Sequence, residues 1–214
     1  MRKLFEFGGV VAAAILIGFG ITTIVMGFNG RSTVRDSLTQ EQIVGTPDMT
    51  PAAIAAAAKE AGLPASIDLP TVAVADKPID TGDRARAFAG YMRIHALEAS
   101  GGLTYAQMPR YATDDGQGTN DPALATKGPN GEPVSNPARN LWVTETALAT
   151  ALNVSYMAER LSLFSIIIGV ALLLAGFGFA ILAIGGALRN PETALTFMRR
   201  RAPGAGRTPV APKA

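Results

Sequence analysis

The stretch Leu161–Leu188, LSLFSIIIGVALLLAGFGFAILAIGGAL, decides the fold. It runs 28 residues without a charge, and Arg160 and Arg189 bracket it. A soluble helix of this length keeps a polar stripe toward water, and this one has none. It predicts a membrane-crossing helix. Roughly 20 residues cross a hydrocarbon core, so the excess predicts tilt rather than a specific angle.

Working back toward the start, a second apolar run occupies Phe7–Phe28, 22 residues with no charge. Arg2 and Lys3 precede it, as in a secretory signal. A signal's apolar core is shorter, about 7–15 residues, and ends at a small-residue cleavage site. The segment that follows, NGRSTVRDS, offers no Ala-x-Ala site. The run is expected to be a retained anchor, with a long cleaved signal as the rival.

Two spans place both termini on one side. Arg2 and Lys3 flank the first span, and Arg189, Arg199, Arg200 and Arg201 follow the second. Basic flanks favour the cytoplasmic face, and a loop longer than about 60 residues crosses largely regardless of its own charge. The expected organisation is a cytoplasmic start at 1–6, a first span at 7–28 and an extracytoplasmic domain at 29–160. A second span at 161–188 and a basic cytoplasmic tail at 189–214 complete it. The tail is expected to lack structure after about residue 202. Its Pro191–Arg201 segment is expected to be a plain stop-transfer flank; the alternative is a short amphipathic helix that sets Leu195, Phe197 and Met198 on the lipid, with Arg199, Arg200 and Arg201 at anionic head groups in either case.

Charge is divided accordingly. Net charge is +2, yet residues 29–160 hold 11 Lys and Arg against 15 Asp and Glu, and the remainder holds 8 against 2. The basic surplus lies at the chain ends and does not line one folded face, which argues against a nucleic-acid partner. The chain has no cysteine. That excludes disulfides, thiolate nucleophiles and cysteine-based metal sites.

Between the spans the pattern predicts a small α-rich domain of α+β type. Short strands are expected near Gln42–Gly45 and through Thr71–Val74. Thr50 as cap with Pro51 at the first helical position predicts a helix that Gly62 and Pro64 stop. Thr81 or Asp83 caps a second helix ending at Gly101–Gly102, with Ala85, Phe88, Met92, Ala96 and Ala99 on its apolar face. Residues 101–136 are rich in Gly, Pro, Asn and Asp, with turns at Asp115-Gly116 and Asn130-Gly131. Tyr105, Met108 and Tyr111 are expected to anchor this loop over the helices. From Asn136 as cap, one helix is expected to run from Pro137 to Leu188, its first part (137–160) a stalk on which Leu141, Thr144 or Glu145, Leu148, Leu152 and Ser155 or Tyr156 trace one helical face and against which the smaller helices pack.

Candidate sites are few. His95 is the sole histidine, and Glu98 stands one helical turn away. A lone histidine fits a packing boundary better than a metal site or a triad. Asp114, Asp115, Asn120 and Asp121 are hard oxygen ligands that could hold calcium, though the spacing departs from the helix–loop–helix pattern and lacks its bidentate Glu. Asn153-Val154-Ser155 fits a glycosylation triplet but falls mid-helix. Gly18 and Gly20 in the first span, with Ala171, Ala175, Gly176 and Ala180 in the second, form small-residue faces. They predict close packing between the spans or between copies. Neither span carries an ionisable residue, which argues against an ion or proton pathway. Phosphate-binding loops, dinucleotide fingerprints and nucleophile elbows are missing from the sequence.

At QEQIVGTPDMTP (40–51) and NPARNLWVTETALATALNVSYMAERLSLFSIIIGVALLL (136–174) the chain resembles a group of uncharacterised two-span membrane proteins of actinobacteria. The similarity covers most of residues 1–188. It implies the two-span plan and brings no activity, cofactor or site residue with it. Some members of that group carry an aromatic ring-opening dioxygenase label. A non-haem iron centre takes two histidines and a carboxylate, and this chain has 1 histidine.

The expectation is therefore a non-enzymatic structural or accessory subunit of a cell-envelope assembly. It would need no cofactor, and would have the bilayer and a protein partner or second copy as its contacts. The alternative is a binding module whose loop 101–136 engages an envelope ligand or calcium. An enzyme built on His95, Glu98 or the acidic loop ranks last.

Overall fold

The structure is a computed structural model that describes residues 2–185, with side chains from Glu6 onward. Residues 186–188 of the expected second span lie outside the described residues. So do the Pro191–Arg201 segment with Arg199, Arg200 and Arg201, and the tail beyond 202.

The protein is mainly helical. Four helices follow in order: α1 Arg2–Gln40, α2 Pro51–Glu60, α3 Gly82–Ala99 and α4 Pro137–Ile184. The described residues divide into two compact units, one of those up to Gly27 together with those from Phe164 to residue 185, the other Phe28–Leu163.

The first unit is a pair of apolar helical segments. α1 and α4 are both long and apolar enough to cross a membrane. The core helix of a soluble protein would be mostly covered. Here only 17% of the most apolar stretch of each helix is buried. Phe7, Phe19, Met26, Phe164, Phe177 and Ile184 lie uncovered by the chain. What contact exists is made through small residues. A Cβ placed on Gly169 would stand 2.8 Å from the Gly20 carbonyl oxygen and 3.0 Å from the Ile24 nitrogen. One on Gly176 would stand 3.0 Å from the Ile17 nitrogen. Backbones approach this closely only where side chains are missing.

In the 28–163 unit, local chemistry sets the helix ends. Thr50 Oγ1 accepts from the Ala53 amide at 3.2 Å, and Pro51 follows at the first helical position. Gly62, at φ +66°, closes α2 while the Leu63 amide donates back to Ala58 at 2.9 Å. That is the left-handed cap glycine serves best. α3 repeats the scheme, with Thr81 at its start and Gly101 at φ +63° past its end. Asn136 caps α4, its Oδ1 accepting from the Ala138 amide at 3.0 Å.

α1 departs from the expected polar exit after Phe28 and stays helical to Gln40. Thr33 and Thr39 return their hydroxyl protons to the carbonyls of Asn29 and Arg35, so they do not compete for the helix amides. Leu38 is buried in the core, which ties the extension down.

The expected strands shrink to isolated bridges, Val44 with Pro78 and Gly45 with Ala75. Pro78 has no amide to donate, and Asp76 sits at φ +56°, so a ladder cannot continue. The Val74 and Ala75 amides both reach the Met49 carbonyl instead.

Ile54, Val74, Ile79, Tyr91 and Ile94 are the largest fully buried side chains. Each aliphatic one contributes about 1.5–3 kcal/mol by leaving water. α3 is covered on more sides than its predicted stripe allowed. Ala85 and Ala96 are buried and Phe88 and Met92 half-buried, but Ala99 is exposed, while Tyr91, Ile94 and Leu97 are buried. On α4 the core-facing residues are Trp142, Glu145 and Leu152; Leu141 and Leu148 are exposed instead.

Candidate functional site

Three side-chain clusters concentrate the polar chemistry of the 28–163 unit. The first surrounds the start of α3. Glu159 of α4 takes the Gly82 amide on Oε2 at 2.6 Å and pairs with Arg31 of α1 through Oε1 at 3.1 Å. A carboxylate at a helix N-terminus meets both an open donor and the positive end of the dipole. Asp80 holds Arg84 at 2.7 Å and Arg35 at 3.7 Å, and Asp83 pairs with Arg160. The Arg160 guanidinium also lies over the Tyr156 ring at 5.1 Å. Tyr156 first and Asp83 second push its pKa up. These pairs join α1, α3 and α4. Arg31, Arg35, Asp80, Thr81 and Glu159 also line a cavity of about 290 Å³.

His95 forms the second cluster. Its Nδ1 lies 2.9 Å from Glu98 Oε2, the partner expected from spacing, and its Nε2 lies 3.2 Å from Asp48 Oδ2. Asp48 sits in the turn before α2, and sequence spacing gave no sign of it. The Thr46 side chain, and to a smaller degree His95, hold the Asp48 carboxyl below its usual value. Nδ1 is in hydrogen-bond geometry with Glu98, while the buried Nε2 faces Asp48 without a hydrogen-bond partner among the described residues. The arrangement ties α3 to the 46–49 turn.

The third cluster is the acidic loop. It is ordered by its own bonds. Tyr111 and Thr119 exchange backbone bonds at 2.9 and 3.0 Å, and Val134 donates to Thr126 at 2.9 Å. Each candidate oxygen braces the loop. Asp114 Oδ1 accepts from Thr126 at 2.6 Å, and Asn120 Oδ1 accepts from the Arg110 amide at 3.1 Å. Asp121 Oδ1 accepts from the Ala123 amide at 2.8 Å. Asp115 accepts from the Thr113 hydroxyl and the Gln117 amide, which hold its carboxyl below the usual range. Among the described residues, no group of three His, Cys, Asp or Glu gathers to hold a metal ion. Met108 is buried, and Arg139 of α4 lies 4.0 Å over the Tyr105 ring.

The structure sets Gly20 and Gly176 in the helix contact of the apolar unit and adds Gly169. A Cβ on Gly18 would meet nothing within 4 Å. Ala180 is half-buried, and Ala171 and Ala175 are exposed.

Of the two alternatives the sequence offered on this face of α4, Thr144 or Glu145, Glu145 is the buried one; it meets Arg93 at 3.1 Å, with the Arg93 guanidinium 4.0 Å over Trp142, partners that spacing did not indicate. A signal was present: Glu145 is the single charge between Asn140 and Ala158. Comparison of the chain with protein-family models, with curated proteins and with solved structures finds no match.

Proposed function

We propose that this chain is a two-pass membrane protein with both termini cytoplasmic and residues 29–160 extracytoplasmic, and that it serves as a non-enzymatic structural or accessory subunit of a cell-envelope assembly. The observation that carries the reading is the uncovered apolar surface of α1 and α4, whose most apolar stretches are 17% buried. Lipid is the solvent that such surface requires. The charged side chains of the 28–163 unit support the second half. Asp80, Asp83, Glu145 and Glu159 are spent on arginines that join one helix to another or brace a helix start. Their office is to hold a shape.

Cross-linking in native membranes followed by purification tests the reading. The chain is expected to emerge bound to protein, and a solitary monomer under every cross-linking condition overturns the subunit role. A reporter inserted between Asp115 and Gly116 tests placement: activity confined to an extracytoplasmic reporter is expected, and activity of a cytoplasmic one overturns it.

A further inference from the structure

At the end of its apolar run α1 carries Phe28, Arg31 and Arg35 at steps of three and four, on one face of the helix. At a rise of about 1.5 Å per residue the two arginines stand about 4.5 and 10.5 Å beyond Phe28. Helix side chains lean toward the N-terminus, which here is the apolar end, so both guanidiniums reach back toward the Phe28 ring. α4 comes level at the same place. Arg31 meets Glu159 at 3.1 Å, just before the second apolar run opens at Leu161. A Cβ on Gly30 would run into Ser162. The polar layer of a bilayer is about 5–8 Å deep on each side of the hydrocarbon. The cavity of about 290 Å³ lined by Phe28, Arg31, Arg35, Asp80, Thr81 and Glu159 therefore opens at head-group height.

What this cavity leaves unused is donors. Both Glu159 oxygens are taken, Oε1 by Arg31 and Oε2 by the Gly82 amide. Asp80 Oδ1 is taken by Arg84 at 2.7 Å, and its Oδ2 lies 3.7 Å from Arg35, beyond hydrogen-bond reach. The Arg35 guanidinium, 68% exposed, has no hydrogen bond among the described residues. Arg31 spends one N–H on Glu159 and keeps the rest. Thr81 Oγ1 accepts from the Arg84 amide, and its own proton has no acceptor among the described residues. Arg31, Arg35 and Arg84 meet Asp80 and Glu159, which leaves one positive charge over. Unused donors and a surplus cation call for an anion whose oxygens only accept, and guanidinium groups suit a phosphodiester. We propose that this cavity binds the head group of an anionic phospholipid, with its phosphate oxygens on Arg35, Arg31 and Thr81. Phe28, 59% exposed, selects a lipid over a soluble phosphate, because the glycerol and first acyl carbons cover the ring. The proposal deepens the reading above. It rests on α1 and α4 spanning a bilayer and not on their orientation.

The full chain in neutral dodecyl maltoside micelles tests the site by native mass spectrometry, with phosphatidylglycerol, phosphatidylcholine and inorganic phosphate as probes. One phosphatidylglycerol per chain is expected to stay bound. Arg35→Gln is expected to raise the lipid concentration for half-occupancy about tenfold, the worth of one charge-assisted contact. Arg110→Gln removes an exposed arginine of the 101–136 loop and is expected to change nothing. Phe28→Ala keeps both arginines and is expected to weaken the lipid several-fold, which checks the site without touching its charges. Equal retention of phosphatidylcholine, equal effects of Arg35→Gln and Arg110→Gln, or displacement of the lipid by an equal concentration of inorganic phosphate overturns the proposal. Carbonate extraction of native membranes separates the two readings. Release of the chain into the supernatant overturns the membrane reading and the site with it. Retention in the pellet with no effect of Arg35→Gln on lipid binding overturns the site alone.

Discussion

Glu145 is 4% exposed, and its partner Arg93 bridges two helices to reach it. Glu145 Oε2 takes the guanidinium, while Oε1 has no hydrogen-bond partner among the described residues. Removing the counter-charge leaves a buried carboxylate without compensation. In a fully buried pair that costs about 3–5 kcal/mol. Arg93 is 44% exposed, so water screens part of it. Arg93→Ala is expected to lose about 2 kcal/mol. Glu145→Gln removes the charge that needed compensation, so Arg93→Ala with Glu145→Gln should recover more than half of that loss. Trp142 is the single tryptophan and stacks on Arg93, so its fluorescence during urea unfolding in micelles follows this locus directly. Strictly additive losses in the two variants would show that the pair does not couple.

At the scale of the element, the contact between apolar helical segments depends on missing side chains. Gly169→Val sets branched carbon where a first carbon already stands 2.8 Å from the Gly20 carbonyl and 3.0 Å from the Ile24 nitrogen. Backbone cannot yield as a flexible side chain does, and overpacking of this kind costs about 1–3 kcal/mol. Gly18→Ala meets nothing within 4 Å and should leave stability unchanged or slightly raised. Thermal unfolding of both variants in the same micelles checks the contrast; equal shifts would remove the contact from the account. The same elements show what sequence can and cannot convey. Thr50 with Pro51 and Asn136 were legible as helix starts, and Thr81 as one of two candidates with Asp83, because a cap is a contract between neighbours two or three residues apart. The buried face of α4 was not. Leu141 and Leu148 are as apolar as Leu152, and which of them meets the core depends on where α1 and α3 lie. The helical run from Asn29 to Gln40 was hidden for a related reason. Its Ser, Thr and Arg residues read as an exit, and the contacts that tie them down, Leu38 and Val34 in the core and Arg31 and Arg35 on Glu159 and Asp80, are all with distant parts of the chain. The His95–Glu98 pair was legible because it is local, and Asp48, 47 residues earlier, was not.

For the molecule as a whole, titration couples these loci to stability at both ends of the pH scale. Thr46 holds the Asp48 carboxyl, and Thr113 that of Asp115, below the usual 3.8. The unfolded chain therefore takes up protons before the folded chain does as pH falls. Stability contributed by these carboxylates is complete above the unfolded value and is lost on descent through the folded ones. Tyr91 acts at the other end with the opposite sign. Burial pushes its phenol above the usual 10.0, and its hydroxyl donates to the Val72 carbonyl at 3.2 Å. The unfolded chain ionises this tyrosine first, so its share of stability is present below that pH and is lost as pH rises beyond it. Melting temperature against pH is expected to show a plateau with a fall at each end. Tyr91→Phe should lower the plateau by about 1 kcal/mol, the worth of one hydrogen bond, and flatten the alkaline fall. Asp48→Asn with Asp115→Asn should flatten the acid fall and leave the alkaline one untouched. An alkaline fall that persists unchanged in Tyr91→Phe would assign that limb to another group, and Tyr91 would then be a packing residue only.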